Sequence, residues 1–227
     1  MEEELIIEQK SLEWYKERLG NFTGSKVADL MVKSRTKGEN FGKTAQTYIK
    51  KVASQRNLAD EVLTDDNLFL EYLDLEDIHS KAISWGNEHE AIARGMFELE
   101  TGITVEEKGS VKHPTIEHYA SSPDGYFTED GQAGILEIKC PIKGEIYLDY
   151  KSIQCGEDLK AINATYYWQM QAEIDCNDTQ FGYFVAYYKF DKEPLHIAKI
   201  ERNDEDIQTI HDRIALAEEY IYELNNK

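Results

Sequence analysis

Two short motifs constrain this chain more than any other feature. The first is Ser121-Ser122-Pro123-Asp124-Gly125-Tyr126; a short way on comes Gly134-Ile135-Leu136-Glu137-Ile138-Lys139-Cys140-Pro141. The pattern is Pro-Asp, a turn, an apolar strand, then Glu-x-Lys. Side chains alternate along a strand, so Glu137 and Lys139 share one face while Leu136 and Ile138 share the other. Asp124 sits where Pro-Asp-Gly turn chemistry breaks an extended run. Two carboxylates and an ammonium thereby meet at the edge of a buried sheet. Oxygen ligands of this kind suit a hard divalent cation such as Mg²⁺. Such a cation polarises a phosphodiester and acidifies a bound water, and Lys139 is placed to orient that water or meet charge growing on phosphorus. A hairpin with a solvated, salt-bridging face accounts for the same residues, so the rest of the chain must decide.

The 227 residues fit one large domain or two small ones, and four prolines with no low-complexity segment favour one compact body. A hydrophobic fraction of 41% with 11% aromatics supports a sizeable core. No run is long enough for a membrane span, and the acidic start is wrong for a secretory signal. A soluble, intracellular protein is expected. Cys140, Cys155 and Cys176 form no Cys-x-x-Cys pair, which argues against a disulfide framework, a zinc site or an iron–sulfur cluster. The net charge of −19 is unusual for a nucleic-acid binder. Either the protein binds no nucleic acid, or its cations line a local cleft beneath an acidic exterior.

Along the chain, 12–19 reads as an amphipathic helix with Trp14 inward and Arg18 near its end. Gly20 to Gly24 breaks it, and Thr23 or Ser25 is expected to cap a helix from Lys26 to about Val32. An arginine ahead of a hydroxyl-flanked helix start can hold a phosphate; an ordinary capped helix with a surface arginine reads the same way. Residues 34–43 are a polar loop, and a helix follows over 44–55. The stretch 60–77 mixes leucines with carboxylates as a partly helical surface segment. A long helix is predicted over about 78–100, stopped by Gly102, with Trp85, Ile92, Met96 and Leu99 as its buried stripe and Glu90 beside it. Strands are expected at 103–105 and 118–120. A polar connection after Pro141 should reach a helix over about 158–174, which carries Gln169 and Gln171 among aromatics. Residues 179–190 and 195–200 read as a hairpin, and a helix capped by Asn203 closes the chain over 204–224. The fold expected is α/β, with a small mixed sheet flanked by helices.

Four separated segments now line up. Trp14 to Gly20 with Thr23-Gly24-Ser25, Trp85-Gly86-Asn87-Glu88-His89-Glu90, the Pro-Asp and Glu-x-Lys pair, and Gln169-Met170-Gln171 resemble, in order, the PD-(D/E)xK nuclease superfamily. Within it they resemble the viral-recombinase exonucleases typified by phage lambda exonuclease. The resemblance implies a restriction-endonuclease-like core in one domain. It makes Asp124 and Glu137 metal ligands, with the Ile138 carbonyl and with Glu90 at the second metal position. Lys139 would activate water, and Gln169 would orient Lys139 or the scissile phosphate. Arg18, Ser25 and Ser122 match positions that receive a 5′-phosphate. The family implies Mg²⁺ (Mn²⁺ possible), duplex DNA ends as substrate and 5′→3′ removal of one strand. It also implies a homotrimeric ring, a single-strand annealing partner, and a phage or prophage protein in the bacterial cytoplasm. A basic channel from Lys33, Arg35, Lys37, Lys43, Lys50 and Lys51 would then reconcile DNA with the acidic exterior. Two alternatives stand beside it. A structure-specific or restriction-type endonuclease on the same core needs no 5′-phosphate pocket. A non-enzymatic DNA mimic explains the charge but not the coincidence of Asp124, Glu137, Lys139, Glu90 and Gln169.

Overall fold

The computed structural model describes residues 9–76 and 81–226. At the centre stands a mixed four-stranded sheet in the order β4-β5-β6-β7, built from β4 (Gly125–Glu129), β5 (Gln132–Lys139), β6 (Phe181–Tyr187) and β7 (Leu195–Glu201). The β4–β5 and β6–β7 pairs are antiparallel hairpins, while β5 and β6 run parallel. A parallel pair needs a crossover, and here it is supplied by α7 (Gly144–Tyr150), α8 (Gly156–Ile162) and α9 (Ala164–Cys176). A second sheet, of short strands, joins β1 (Phe22–Thr23), β3 (Tyr119–Ser121) and β2 (Val111–Lys112) in that order.

Strand alternation in β5 sorts its side chains as the sequence requires. Leu136 and Ile138 pack with Ala93 and Phe97 of α6 (Lys81–Thr101). Ile135, on the opposite face with Glu137 and Lys139, packs with Met170 and Ile174 of α9. Burying side chains such as Leu136 or Phe97 completely stabilises the fold by about 1.5–3 kcal/mol each.

Helix α9 is buried nearly all round, and each of its buried polar residues makes at least one hydrogen bond. Gln171 donates to the Glu201 carbonyl (2.9 Å) and accepts from Asn203 N (2.8 Å), tying α9 to β7 and to α10 (Asp204–Asn225). Asp175 binds Arg202 and His211. Gln169 and Glu173 are left to face β5. The helices α1 (Leu12–Arg18), α2 (Val27–Leu30) and α3 (Lys43–Arg56) close the other side, and α4 (Asp60–Thr64) and α5 (Asp66–Leu75) run over the surface.

Several expectations are corrected. The buried stripe of α6 is His89, Ala93 and Phe97, with Ile92 50% and Leu99 87% exposed. Positions four apart stack on one helix face, and the Trp85 to Phe97 series leaves Ile92 and Leu99 off it. The start of the predicted helix, at 78–80, lies outside the described residues. The helix drawn over 158–174 is two: Asn163 ends α8, and its side chain caps α9 by accepting from Tyr166 N. Helix α7, inside the polar connection, was unforeseen. Residues 103–105 form no strand, because Val105 N bonds to the Glu98 carboxylate. Neither Thr23 nor Ser25 caps a helix. A 3₁₀ turn at Gly24–Lys26 leads into α2, which stops at Leu30, short of Val32. Trp14 is half-buried and faces a cleft rather than the core.

Candidate active site

Asp124 sits one residue before β4, and the pairing of Gly125 with Leu136 carries it across to the end of β5. Its Oδ2 accepts a hydrogen bond from Ile138 N at 2.7 Å. Only glycine fits at 125, since a Cβ there would lie 2.2 Å from Val105 Cγ1. Glu137 is 1% exposed. Its Oε1 accepts from the Lys139 ammonium and from Gln169 Nε2 (2.6 Å), while its buried Oε2 has no protein partner. The Lys139 ammonium also lies 4.6 Å from the Tyr166 ring centroid. Glu90 reaches the same place from α6, held by Lys10 (2.9 Å) and Arg94 (3.2 Å).

The hydroxyl pocket adjoins these groups. Arg18 donates to Ser122 Oγ (3.0 Å) and Ser25 Oγ (3.3 Å). Trp14 Nε1 donates to the same Ser122 hydroxyl (3.1 Å), and its ring carries the guanidinium at 4.3 Å. Gly20 (φ +71°) turns the chain between α1 and β1 so that Arg18 and Ser25 can meet.

A single cleft of about 490 Å³ is lined by Arg18, Ser25, Glu90, Ser122, Asp124, Glu137, Ile138, Lys139 and Gln169. Every residue singled out for the site therefore faces one space. The predicted basic channel is not gathered in the same way. Lys43 and Lys51 line an adjoining cavity of about 670 Å³ that shares Arg18 and Ser25 with the cleft, and Lys51 pairs with Glu76. Lys33, Arg35, Lys37 and Lys50 line neither.

Glu173 was missed by sequence reasoning. It lies one helical turn beyond Gln169, is 1% exposed, and accepts from Gln169 Nε2 at 2.8 Å. The i, i+4 spacing was the signal available. Its other oxygen is buried without a partner.

The cluster holds more negative charge than its ammonium balances. Burial raises the Asp124 carboxyl well above the usual range, and the nearby Glu137 and Glu90 push the same way. Glu173 is raised by burial and then by Glu137. Burial works against the Lys139 charge, but Glu137 and Asp124 outweigh it and the net shift is upward. The Cys140 thiol is pushed up to about 12, chiefly by burial and then by Glu90 and Asp124. An oxygen-only donor set with an orphaned Glu137 oxygen and excess negative charge fits a hard divalent cation.

His113, Asp175 and His211 form a second group of possible ligands, with ligand atoms within 4.8 Å of one another. The hydrogen bonds there describe a closed cluster instead. His113 Nδ1 accepts from Thr115 N (3.2 Å) and Ile116 N (2.9 Å), which leaves the ring proton of neutral His113 on Nε2, directed at Asp175 (3.3 Å). A neutral imidazole cannot accept at one nitrogen and ligate a metal through the other, protonated one.

The fold is that of phage-type exonucleases. The YqaJ-like viral recombinase domain model matches residues 13–180, and the chain belongs to that family. Its fold matches an alkaline exonuclease from Laribacter hongkongensis, with a TM-score of 0.68 at 28% identity over 95% of this chain and 97% of that one. A structure of the Laribacter enzyme in complex with dAMP matches equally, at 29% identity over the same shares. A phage-related exonuclease from Haemophilus somnus 129PT shares the fold, with a TM-score of 0.65 at 16% identity over 91% and 95%. Among curated proteins none matches the chain.

Proposed function

We propose that this chain is a Mg²⁺-dependent exonuclease that degrades one strand of linear duplex DNA from its 5′ end, releasing 5′-mononucleotides. The observation that carries the reading is the Arg18–Ser122–Ser25 pocket opening into the cleft of Asp124, Glu137 and Lys139. A nuclease that cuts internally has no use for a receptor for a terminal phosphate beside its metal ligands. The Laribacter enzyme binds dAMP, a 5′-mononucleotide, which agrees with that product.

Asp124, Glu137, the Ile138 carbonyl and Glu90 would hold the cation. When bound, Mg²⁺ (or Mn²⁺) supplies charge neutralisation at the phosphodiester and a water acidified toward neutral pH. Lys139, fixed by Glu137 and the Tyr166 ring, donates to the attacking water or the phosphoryl oxygens. Gln169 spans Glu137 and Glu173 and holds the Glu137 carboxylate in place. Arg18 and the two hydroxyls grip the 5′-phosphate and so set the scissile bond one nucleotide away. The whole activity sits in one domain. The same reading carries a homotrimeric ring around DNA, a single-strand annealing partner, and a phage or prophage role in recombination in the bacterial cytoplasm.

The test compares initial rates of parental protein and Arg18→Ala on 5′-phosphorylated and 5′-hydroxyl linear duplexes. A hydrogen bond to a charged group contributes about 1.5–3 kcal/mol, so the variant should lose roughly ten- to a hundredfold on the phosphorylated end. On the hydroxyl end the loss should be small. Equal losses on both ends would move the endonuclease reading ahead, and no Mg²⁺-dependent cleavage by the parental protein would favour the DNA mimic.

A further inference from the structure

An aromatic patch lies beside the cleft and takes no part in the roles above. Strands β5 and β6 run parallel with Lys139 opposite Ala186, so the segment after β6, Tyr188-Lys189-Phe190, leaves the sheet at the same end as Lys139. Tyr188 packs on Tyr147 and lies against Gly144, next to Pro141 and Ile142 of the cleft wall. From the other side comes Trp85, immediately before the cleft residues Gly86 and Asn87.

The patch is backed by the core and open in front. Trp85 stacks on His89 at 4.1 Å and 24°, and His89 is 5% exposed. Phe190 follows at 6.1 Å from Trp85, nearly parallel at 28°, yet is 68% exposed. The Lys189 ammonium lies 4.4 Å from the Trp85 ring and 5.0 Å from that of Phe190. The acidic members of the same hairpin turn the other way, since Asp191 and Glu193 both pair with Lys151. In a chain of net charge −19, the result is an exposed ring flanked by a cation, with both hairpin carboxylates drawn away to Lys151.

We propose that Phe190, Trp85 and Lys189 form a stacking platform for an unpaired nucleobase of DNA at the cleft mouth, with Lys189 on an adjacent phosphate. The proposal rests on the nuclease reading. The scissile strand must reach Glu137, at the bottom of a cleft too small for a duplex, so bases at the mouth have left their partners. An aromatic face with a neighbouring cation is the chemistry that holds such bases without regard to sequence.

The probe is a 5′-phosphorylated duplex whose end is frayed by mismatches and carries 2-aminopurine, compared with its fully paired counterpart. Ca²⁺ replaces Mg²⁺ to suppress turnover. The parental protein should quench 2-aminopurine on the frayed end. Phe190→Ala and Phe190→Leu should lose that quenching and bind the frayed duplex roughly tenfold more weakly, while Phe190→Tyr retains both. Phe190 is exposed, so these variants keep the core, and circular dichroism checks that they do. Unchanged quenching and affinity in both Phe190→Ala and Phe190→Leu would overturn the platform. So would a changed oligomeric mass with unchanged quenching, which would make the patch a contact between protein copies. If the parental protein binds neither duplex, the nuclease reading itself fails, and the platform with it.

Discussion

At Asp124 one carboxylate serves two ends. Oδ2 accepts the Ile138 N–H and fixes the approach of β4 to β5, which leaves the other oxygen for the proposed cation. The two tasks separate by substitution. Asp124→Asn keeps an acceptor for Ile138 N but lacks the charge, so it should fold normally and cleave roughly a thousandfold or more slowly. Asp124→Ala should lose as much activity and also about 1–3 kcal/mol of stability, because a buried N–H is orphaned. Turnover with Mg²⁺ and urea unfolding of both variants check this. Near-parental cleavage by Asp124→Asn would remove Asp124 from the metal site. The sequence predicted a ligand here but not the structural bond, since an acceptor for a residue fourteen positions on becomes visible only once strand register is known.

At the scale of elements, α9 organises the molecule, and the His113 cluster shows how. His113 follows β2, Asp175 ends α9 and His211 lies on α10, with Arg202 and Tyr119 alongside. Burial lowers the His113 pKa below its ordinary 6.5, with His211 and Arg202 adding to the effect and Asp175 opposing it. Because Nδ1 already accepts two backbone N–H groups, a second proton there breaks both bonds. The folded state thus binds fewer protons than the unfolded one, and the contribution to stability is present above pH 6.5 and lost as pH falls toward the lowered value. His113→Gln should be less stable at pH 7.5 by about 1–3 kcal/mol, because buried Asp175 loses the imidazole partner and Thr115 N and Ile116 N lose their shared acceptor. It should also lose less stability than the parental protein between pH 7.5 and 5.5, as read by urea unfolding. A parallel decline in both proteins would rule this cluster out as the source. The elements that carry the site were legible because their patterns are local: the Pro-Asp turn, the β5 alternation, the Gln169 helix. The α8–α9 break was not, because Tyr166 and its neighbours continue the helical pattern across Asn163 and only the cap bond separates them. The α6 stripe was misassigned because hydrophobicity favoured Ile92 and Leu99 over His89, whose burial depends on Trp85 and Tyr187.

For the whole molecule, the question is how a chain of net charge −19 approaches a polyanion. Lys139 is internally neutralised by Glu137, and Lys51 by Glu76, so neither adds much attraction at a distance. Among the described residues, the cations left near the cleft include Lys189 at its mouth, Arg18, shielded by hydroxyls rather than by carboxylates, and Lys26 and Lys43 on the adjoining cavity. Lys26 lies 4.0 Å from Asp29 across an exposed i, i+3 pair, a contact too weak to withhold it from phosphate. On the DNA reading, attraction is therefore local and shallow. Each phosphate neutralised on duplex DNA contributes about −0.9 to the slope of log K against log salt, so a few contacts predict a slope of about −3. Replacing both Lys26 and Lys43 by alanine should flatten the slope by about 2 while leaving the fold intact, since both side chains are exposed. Fluorescence anisotropy with a 5′-phosphorylated duplex, from 50 to 200 mM salt with Ca²⁺ present, reads the slope directly. An unchanged slope in the double variant would place the DNA path elsewhere, with the exposed Lys33, Arg35 and Lys37 of the loop after α2 the next cations to replace. A parental slope near zero with measurable affinity would mean that phosphate contacts are not what holds the DNA.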